Sequence, residues 1–280
     1  MTTELKPSTT LDGNPNYPFE FSICTLVTDH EEYAGMKSSF YEAGFTEGDC
    51  EFLIIDNSKA NTMEAFSGLN LFLRKATGKY IIICHQDILL HDDNRMVLEE
   101  RIRELDIKDP HWAVIGNAGG VNLKHRLQHI TKGTTGQTIE EKHLPIKVIT
   151  VDENFILVKN EANLALSADL KGFHMYGTDL CLIADVLGYH SYVVAFNLTH
   201  KSDGNADETF YQLKRNLIRK YRYAFRSRFV STTVTRFYLS PKGWKSWICN
   251  SVPVLFLVRQ YYKFFTVKKS YSIKYKDMQP

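Results

Sequence analysis

Three polar clusters stand directly behind apolar runs. Thr28-Asp29-His30 follows Phe19 to Val27 (FEFSICTLV), Asp56-Asn57-Ser58 follows Glu51 to Ile55 (EFLII), and His85-Gln86-Asp87 follows Tyr80 to Ile83 and Cys84. Carboxylates, imidazoles and hydroxyls are the groups that hold divalent cations, phosphates and ribose hydroxyls. Apolar runs without alternation read as strands covered on both faces, as in a parallel sheet flanked by helices. Ligands of such sheets bind beyond the carboxyl ends of the strands. Asp87 at such an end can hold a metal or a diphosphate, and the same position also suits a cap for the next segment. Thr28, Asp56 and Asp87 at three strand ends of one edge would span about the width of a nucleotide.

The intervening sequence supplies the elements that bring these ends together. Residues 31–44 space Tyr33, Met36, Phe40 and Ala43 by three and four, predicting an amphipathic helix. The stretch from Asn70 opens with helix formers, closes at Gly78 and runs into the Tyr80 strand. Strand–helix–strand units with short polar turns imply right-handed parallel crossovers and an α/β fold. Downstream, Asp92 to Leu105 reads as a charged helix and Trp112 to Gly116 as a strand. The Asn117 to Val121 segment lacks a GxGxxG pattern and reads as a turn or a close backbone approach to a ligand. Residues 122–146 are expected to form a mobile loop. Val148 to Asp152 and Phe155 to Val158 are expected to pair as a hairpin. A helix opening at Phe173-His174-Met175-Tyr176-Gly177-Thr178-Asp179 puts Asp179 in its first turn, where the dipole favours a carboxylate. Tyr192 to Phe196 reads as the last core strand, ahead of Thr199-His200-Lys201-Ser202-Asp203-Gly204.

Asn70, Ala76, Gly78, Tyr80 and Asp87 together form a line, Asn-x(7)-Gly-Lys-Tyr-Ile-Ile followed by an acid and an apolar pair. This line resembles the nucleotide-binding half of family 2 glycosyltransferases of the GT-A fold, over roughly residues 20–205. Phe72 replaces a usual Gly, and His85 replaces the first Asp of the family's Asp-x-Asp. The resemblance implies a GT-A-like (Rossmann-like), mixed but mainly parallel sheet flanked by helices. It implies Thr28, Asp56, Asn70, His85 and Asp87 as donor-binding residues. It also implies Asp87 and His200 as ligands of Mn²⁺ or Mg²⁺, and Asp179 as the catalytic base, with Thr178 in place of the family's Glu. The implied reaction transfers a sugar, with inversion, from a nucleotide diphosphate donor (a UDP-sugar favoured) to a saccharide or lipid-linked acceptor.

Length and composition set the bounds. The 280 residues accommodate one large α/β domain and an appendage: an arm over 1–18, a catalytic domain over 19–205 with halves meeting near 120, and a helical extension over 206–280. From Lys201 onward there are 17 Lys/Arg against 4 Asp/Glu, a surplus of 13, while the first 200 residues carry a net −11. A basic tail rich in Trp, Tyr and Phe suits an anionic membrane surface, and packing on the catalytic domain would use the same residues. No apolar run reaches the roughly 18 residues of a spanning helix. Five scattered cysteines without a CxxC spacing argue against zinc or a disulfide framework and for buried thiols in a reducing compartment. The N-terminus MTTELKPSTT has no basic-then-apolar segment, so a cytoplasmic protein, peripheral at the inner face of the membrane, is expected. A nucleic-acid partner is not expected.

Two other classes compete. A nucleotidyltransferase shares the strand-end geometry but wants a basic or glycine-rich phosphate loop after its first strand, where this chain has Thr28-Asp29-His30-Glu31-Glu32. A non-catalytic polysaccharide- or membrane-binding module would keep the basic tail and need neither Asp87 nor Asp179.

Overall fold

The computed structural model describes residue 13, residues 15–202 and residues 207–265. Most of the expected N-terminal arm, and Asp203 and Gly204 of the segment after His200, lie outside the described residues. Contacts divide the chain after Leu217 into two units, twelve residues later than the boundary read from the sequence. The helix Glu208–Ala224 explains the difference, since it buries Leu213 and Leu217 and so commits its first turns to the first unit.

The first unit is built on a seven-stranded sheet. Its order is Ile146–Val148, His190–Val193, Trp112–Gly116, Phe155–Lys159, Gly78–Cys84, Phe19–Val27, Cys50–Asp56. Five strands run one way, and Phe155–Lys159 and Ile146–Val148 run against them. This is the mixed, mainly parallel α/β sheet that the sequence predicts. The expected hairpin does not form. Phe155–Lys159 inserts between Gly78–Cys84 and Trp112–Gly116, and Ile146–Val148 takes the far edge. All five residues of Phe155–Lys159 are buried, and only a central position covers both faces of so apolar a strand.

Gly78 opens its strand rather than ending the preceding helix, Ala65–Lys75. A Cβ there would lie 2.6 Å from the Ser22 backbone nitrogen, so glycine is what lets these two strands meet. The expected mobile loop over 122–146 instead contributes short strands to two small sheets. In one, Ile88–Leu89, Thr199–His200, Ile130–Lys132 and Thr138–Ile139 lie side by side. In the other, the glycine-rich Ala118–Gly120 pairs with Thr150–Val151 and Arg126–Gln128.

At the sheet's other end, buried Lys159 donates to Asp106 at 2.9 Å and lies 4.2 Å from the Trp112 ring centroid. Pairing makes a buried lysine tolerable. Cys24, Cys50, Cys84 and Cys181 are buried free thiols.

In the second unit, Arg228–Ser231 and Arg236–Leu239 form an antiparallel hairpin, followed by helices Gly243–Cys249 and Val252–Phe265. The Asn250 amide accepts from the Tyr238 N–H and donates to its carbonyl, clamping hairpin to helices. Pro253 sits in the first turn of its helix, where its missing N–H costs nothing. No helix among the described residues is long and apolar enough to cross a membrane.

Candidate functional site

The first parallel strands end where the sequence places their polar clusters, and a small sheet adds the last member. Thr199–His200 pairs antiparallel with Ile88–Leu89, His200 opposite Ile88, and the Lys201 N–H donates to the Asp87 carbonyl at 3.0 Å. His200 Nε2 thereby comes to 3.4 Å from Asp87 Oδ1, across more than a hundred residues of chain. His85 Nδ1 lies 3.9 Å from the same oxygen. The ligand atoms of His85, Asp87 and His200 all fall within 4.8 Å of one another. Ligands held about 2.1 Å from a cation stand at most about 4.2 Å apart, so small side-chain rotations would close the set.

Hydrogen bonds around the cluster fix its side chains. The Tyr176 hydroxyl donates to the Glu153 carbonyl at 3.2 Å and lies 2.9 Å from His85 Nε2. It therefore accepts from Nε2–H, which leaves the lone pair on Nδ1, the nitrogen facing Asp87. Metal-binding histidines are oriented in this way by a partner on the other nitrogen. Burial and neighbouring His200 push the His85 imidazole below its usual value. Burial alone would raise the Asp87 carboxyl. Hydrogen bonds with His200 and Ser202, whose Oγ donates to Oδ2 at 2.6 Å, outweigh it and hold the group well below the usual carboxylate range. An ionised carboxylate and two imidazole nitrogens are donor types that a divalent cation can take.

The remaining donor-side residues divide. Thr28 and Asp56 end adjacent strands of the same edge, Val27 standing in register with Asp56. Gln86 joins them to the cluster. Its oxygen accepts from the Thr28 and Asp29 N–H groups, and its nitrogen donates to Thr28 Oγ1 at 2.9 Å. Asp56 is exposed, and hydrogen bonds from Ser58 followed by the His30 contact lower its carboxyl to about 2. Asn70 lies elsewhere. Its amide accepts from the Leu166 N–H at 2.8 Å and donates to the Leu166 carbonyl at 3.1 Å. Both ends of the amide thus hold the segment before Ser167, and the cluster of His85, Asp87 and His200 does not include Asn70.

Asp179, the expected base, is likewise held by protein groups. It has no exposed surface, and its two oxygens accept from Ser167 N–H and Ser167 Oγ, each at 2.7 Å. A base must reach a hydroxyl that arrives from solvent. Asp179 instead ties the helix Tyr176–Val186 to the 164–170 segment.

Glu153, Tyr176, Ser202 and Gln86 are the site residues that the sequence reading misses. Ser202 stands two residues from His200 within a segment already singled out. Glu153 gives the same kind of signal as the other clusters, since it directly follows the expected Val148 to Asp152 strand and lies just beyond Thr150–Val151. Phe155–Lys159 runs against its neighbours, so its beginning lies at the edge where their ends lie.

The sheet order, its polar carboxyl edge and the His–Asp–His cluster place the chain in the GT-A-like fold class. Among solved structures it is similar to TarS residues 1–349 from S. aureus in complex with UDP-GlcNAc. That match is 13% identical, covers 73% of this chain and 67% of that one, and has a TM-score of 0.50. It is also similar to the mannosyltransferase PcManGT from Pyrobaculum calidifontis in complex with GDP-Man and Mn²⁺, at 13% identity, 78% and 68% coverage and a TM-score of 0.48. No family model matches. The chain belongs to the family of the Fuscovulum blasticum protein called ATP synthase subunits region ORF 6. It is 36% identical to that protein over 230 residues, 80% of this chain and 92% of the relative. That name gives the place of a reading frame and no chemistry.

Proposed function

We propose that this protein is a nucleotide-sugar-dependent, metal-assisted glycosyltransferase that inverts the anomeric carbon. The observation that carries the reading is the convergence of Asp87, His200 and His85 at the carboxyl edge of a GT-A-like sheet. The likeness to TarS, solved with UDP-GlcNAc, supports a nucleotide sugar as donor, and a UDP-sugar is the favoured one. Thr28 and Asp56 would hold the nucleoside on neighbouring strand ends, while His85, Asp87 and His200 would hold Mn²⁺ or Mg²⁺ beneath the diphosphate. What such an ion supplies when bound is an offset for the negative charge that builds on the departing diphosphate.

The chain's own residues do the rest. Gln86 fixes the Thr28 turn against the metal cluster. Tyr176 sets the tautomer of His85. Ser202 holds the Asp87 carboxylate in place. The acceptor is a saccharide or a lipid-linked saccharide in this reading.

The second unit is proposed to rest on an anionic bilayer, consistent with such an acceptor. Trp244, Trp247, Phe256, Phe264 and Phe265 are exposed there, close in sequence to Lys242, Lys245, Arg259 and Lys263. Aromatic rings at the headgroup level and basic side chains toward anionic lipid form the usual interfacial pairing.

The test is hydrolysis of a donor panel (UDP-glucose, UDP-galactose, UDP-GlcNAc and GDP-mannose) with and without Mn²⁺. Release of nucleoside diphosphate from at least one donor, dependent on the metal, is expected. No turnover and no binding of any nucleoside diphosphate would overturn the reading.

A further inference from the structure

The start of the Tyr176–Val186 helix faces the cluster through Tyr176, yet its own acid, Asp179, is turned inward and buried. A carboxylate from elsewhere takes its place at the helix start. Glu153 Oε1 accepts from the Gly177 N–H at 3.2 Å, while the Glu153 carbonyl accepts from the Tyr176 hydroxyl that touches His85. Gly177 makes the arrangement possible, since a Cβ there would lie 3.3 Å from Glu153 Cγ and 2.6 Å from the Val151 carbonyl oxygen. The space over residue 177 therefore belongs to Glu153, whose side chain keeps part of its surface open. Two bonded contacts link its backbone to a metal-type histidine.

We infer that Glu153 is the catalytic base, taking the proton of the attacking hydroxyl during sugar transfer. The inference rests on the glycosyltransferase reading above. In the step, the acceptor oxygen forms a bond to the anomeric carbon as the bond from that carbon to the diphosphate oxygen breaks. The nucleoside diphosphate leaves with that electron pair, and the hydroxyl proton passes to the Glu153 carboxylate. The Gly177 N–H, at the positive end of the helix, holds the carboxylate in place. The titratable groups facing Glu153 are Asp152 on its own segment, Tyr176 from the helix, and His85 beyond Tyr176. Burial, followed by the charge of Asp152, raises its carboxyl to about 8.

The experiment compares the full chain with E153Q and E153D, using Mn²⁺-dependent hydrolysis of the panel's best donor, with water as acceptor. UDP binding is measured in parallel by calorimetry. Gln keeps an acceptor for the Gly177 N–H, so folding and UDP affinity should stay within about threefold of wild type. Turnover in E153Q should fall by about 10²–10⁴, the usual worth of a positioned base. E153D should recover part of that loss. Wild-type turnover should rise with pH toward about 8, and that limb should vanish in E153Q. Undiminished turnover in E153Q, or loss of UDP binding together with turnover, would overturn the assignment while leaving the parent reading intact. A wild-type chain that binds no nucleoside diphosphate would remove both.

Discussion

The buried pairing of Asp179 with Ser167 makes a quantitative prediction. Asp179→Ala removes the acceptor for two donors, Ser167 N–H and Ser167 Oγ, at a position with no exposed surface. Each stranded buried donor costs about 1–3 kcal/mol, and the hydroxyl can rotate toward a new partner, so the net loss should be about 2–4 kcal/mol. At about 2–4 °C per kcal/mol for a unit of this size, the melting temperature should drop by about 4–16 °C. Asp179→Asn keeps one acceptor but turns a donor toward the other contact, and it should cost about half as much. Thermal unfolding followed by circular dichroism, with UDP binding measured on the same samples, reads both effects. Destabilised variants that still bind UDP and keep their residual turnover per folded molecule are expected. An Asp179→Asn protein that melts like wild type, binds UDP normally and loses turnover a hundredfold would refute the reasoning and restore Asp179 as the base.

Two further outcomes follow from the strand edge and the second unit. Hydrogen bonds from Ser58 and the contact with His30 lower the Asp56 carboxyl from 3.8 to about 2. Its contribution to the turn is therefore complete above about pH 4 and is lost as pH falls through 2; a carboxyl titrating near 4 by NMR would contradict the arrangement. Flotation with anionic liposomes should carry the protein upward at low salt and release it at high salt, because each basic residue near such a surface contributes about 1 kcal/mol. Absence of flotation at low salt would leave the exposed aromatics to another role.

The parallel half of the sheet is legible in the sequence because each of its strands is a short apolar run closed by polar residues. His85 and Asp87 stand out for the same reason, since they follow a strand, whereas His200 lies within the short strand Thr199–His200 that pairs beside them. The antiparallel members are not. Nothing local in Phe155–Lys159 tells that it enters the sheet centre in reverse, so the sequence does not show that Glu153, just ahead of it, comes to the edge where the parallel strands end. Asn70 and Asp179 differ in the opposite sense. Their types and spacing suit a site, but their side chains hold the backbone of Leu166 and Ser167, contacts 96 and 12 residues away in sequence. Long-range hydrogen bonds of that kind leave no periodicity to read.

In the proposed function, Asp87 and His200 hold a divalent cation to which the diphosphate of the donor binds. Calorimetric titration of UDP into the full chain, with and without Mn²⁺, tests it most directly when repeated on Asp87→Asn and His200→Ala. Binding that requires Mn²⁺ in the wild type and weakens at least tenfold in both variants, with folding otherwise preserved, is the predicted result. Equal UDP affinity with and without the metal, or variants indistinguishable from wild type, would contradict the account.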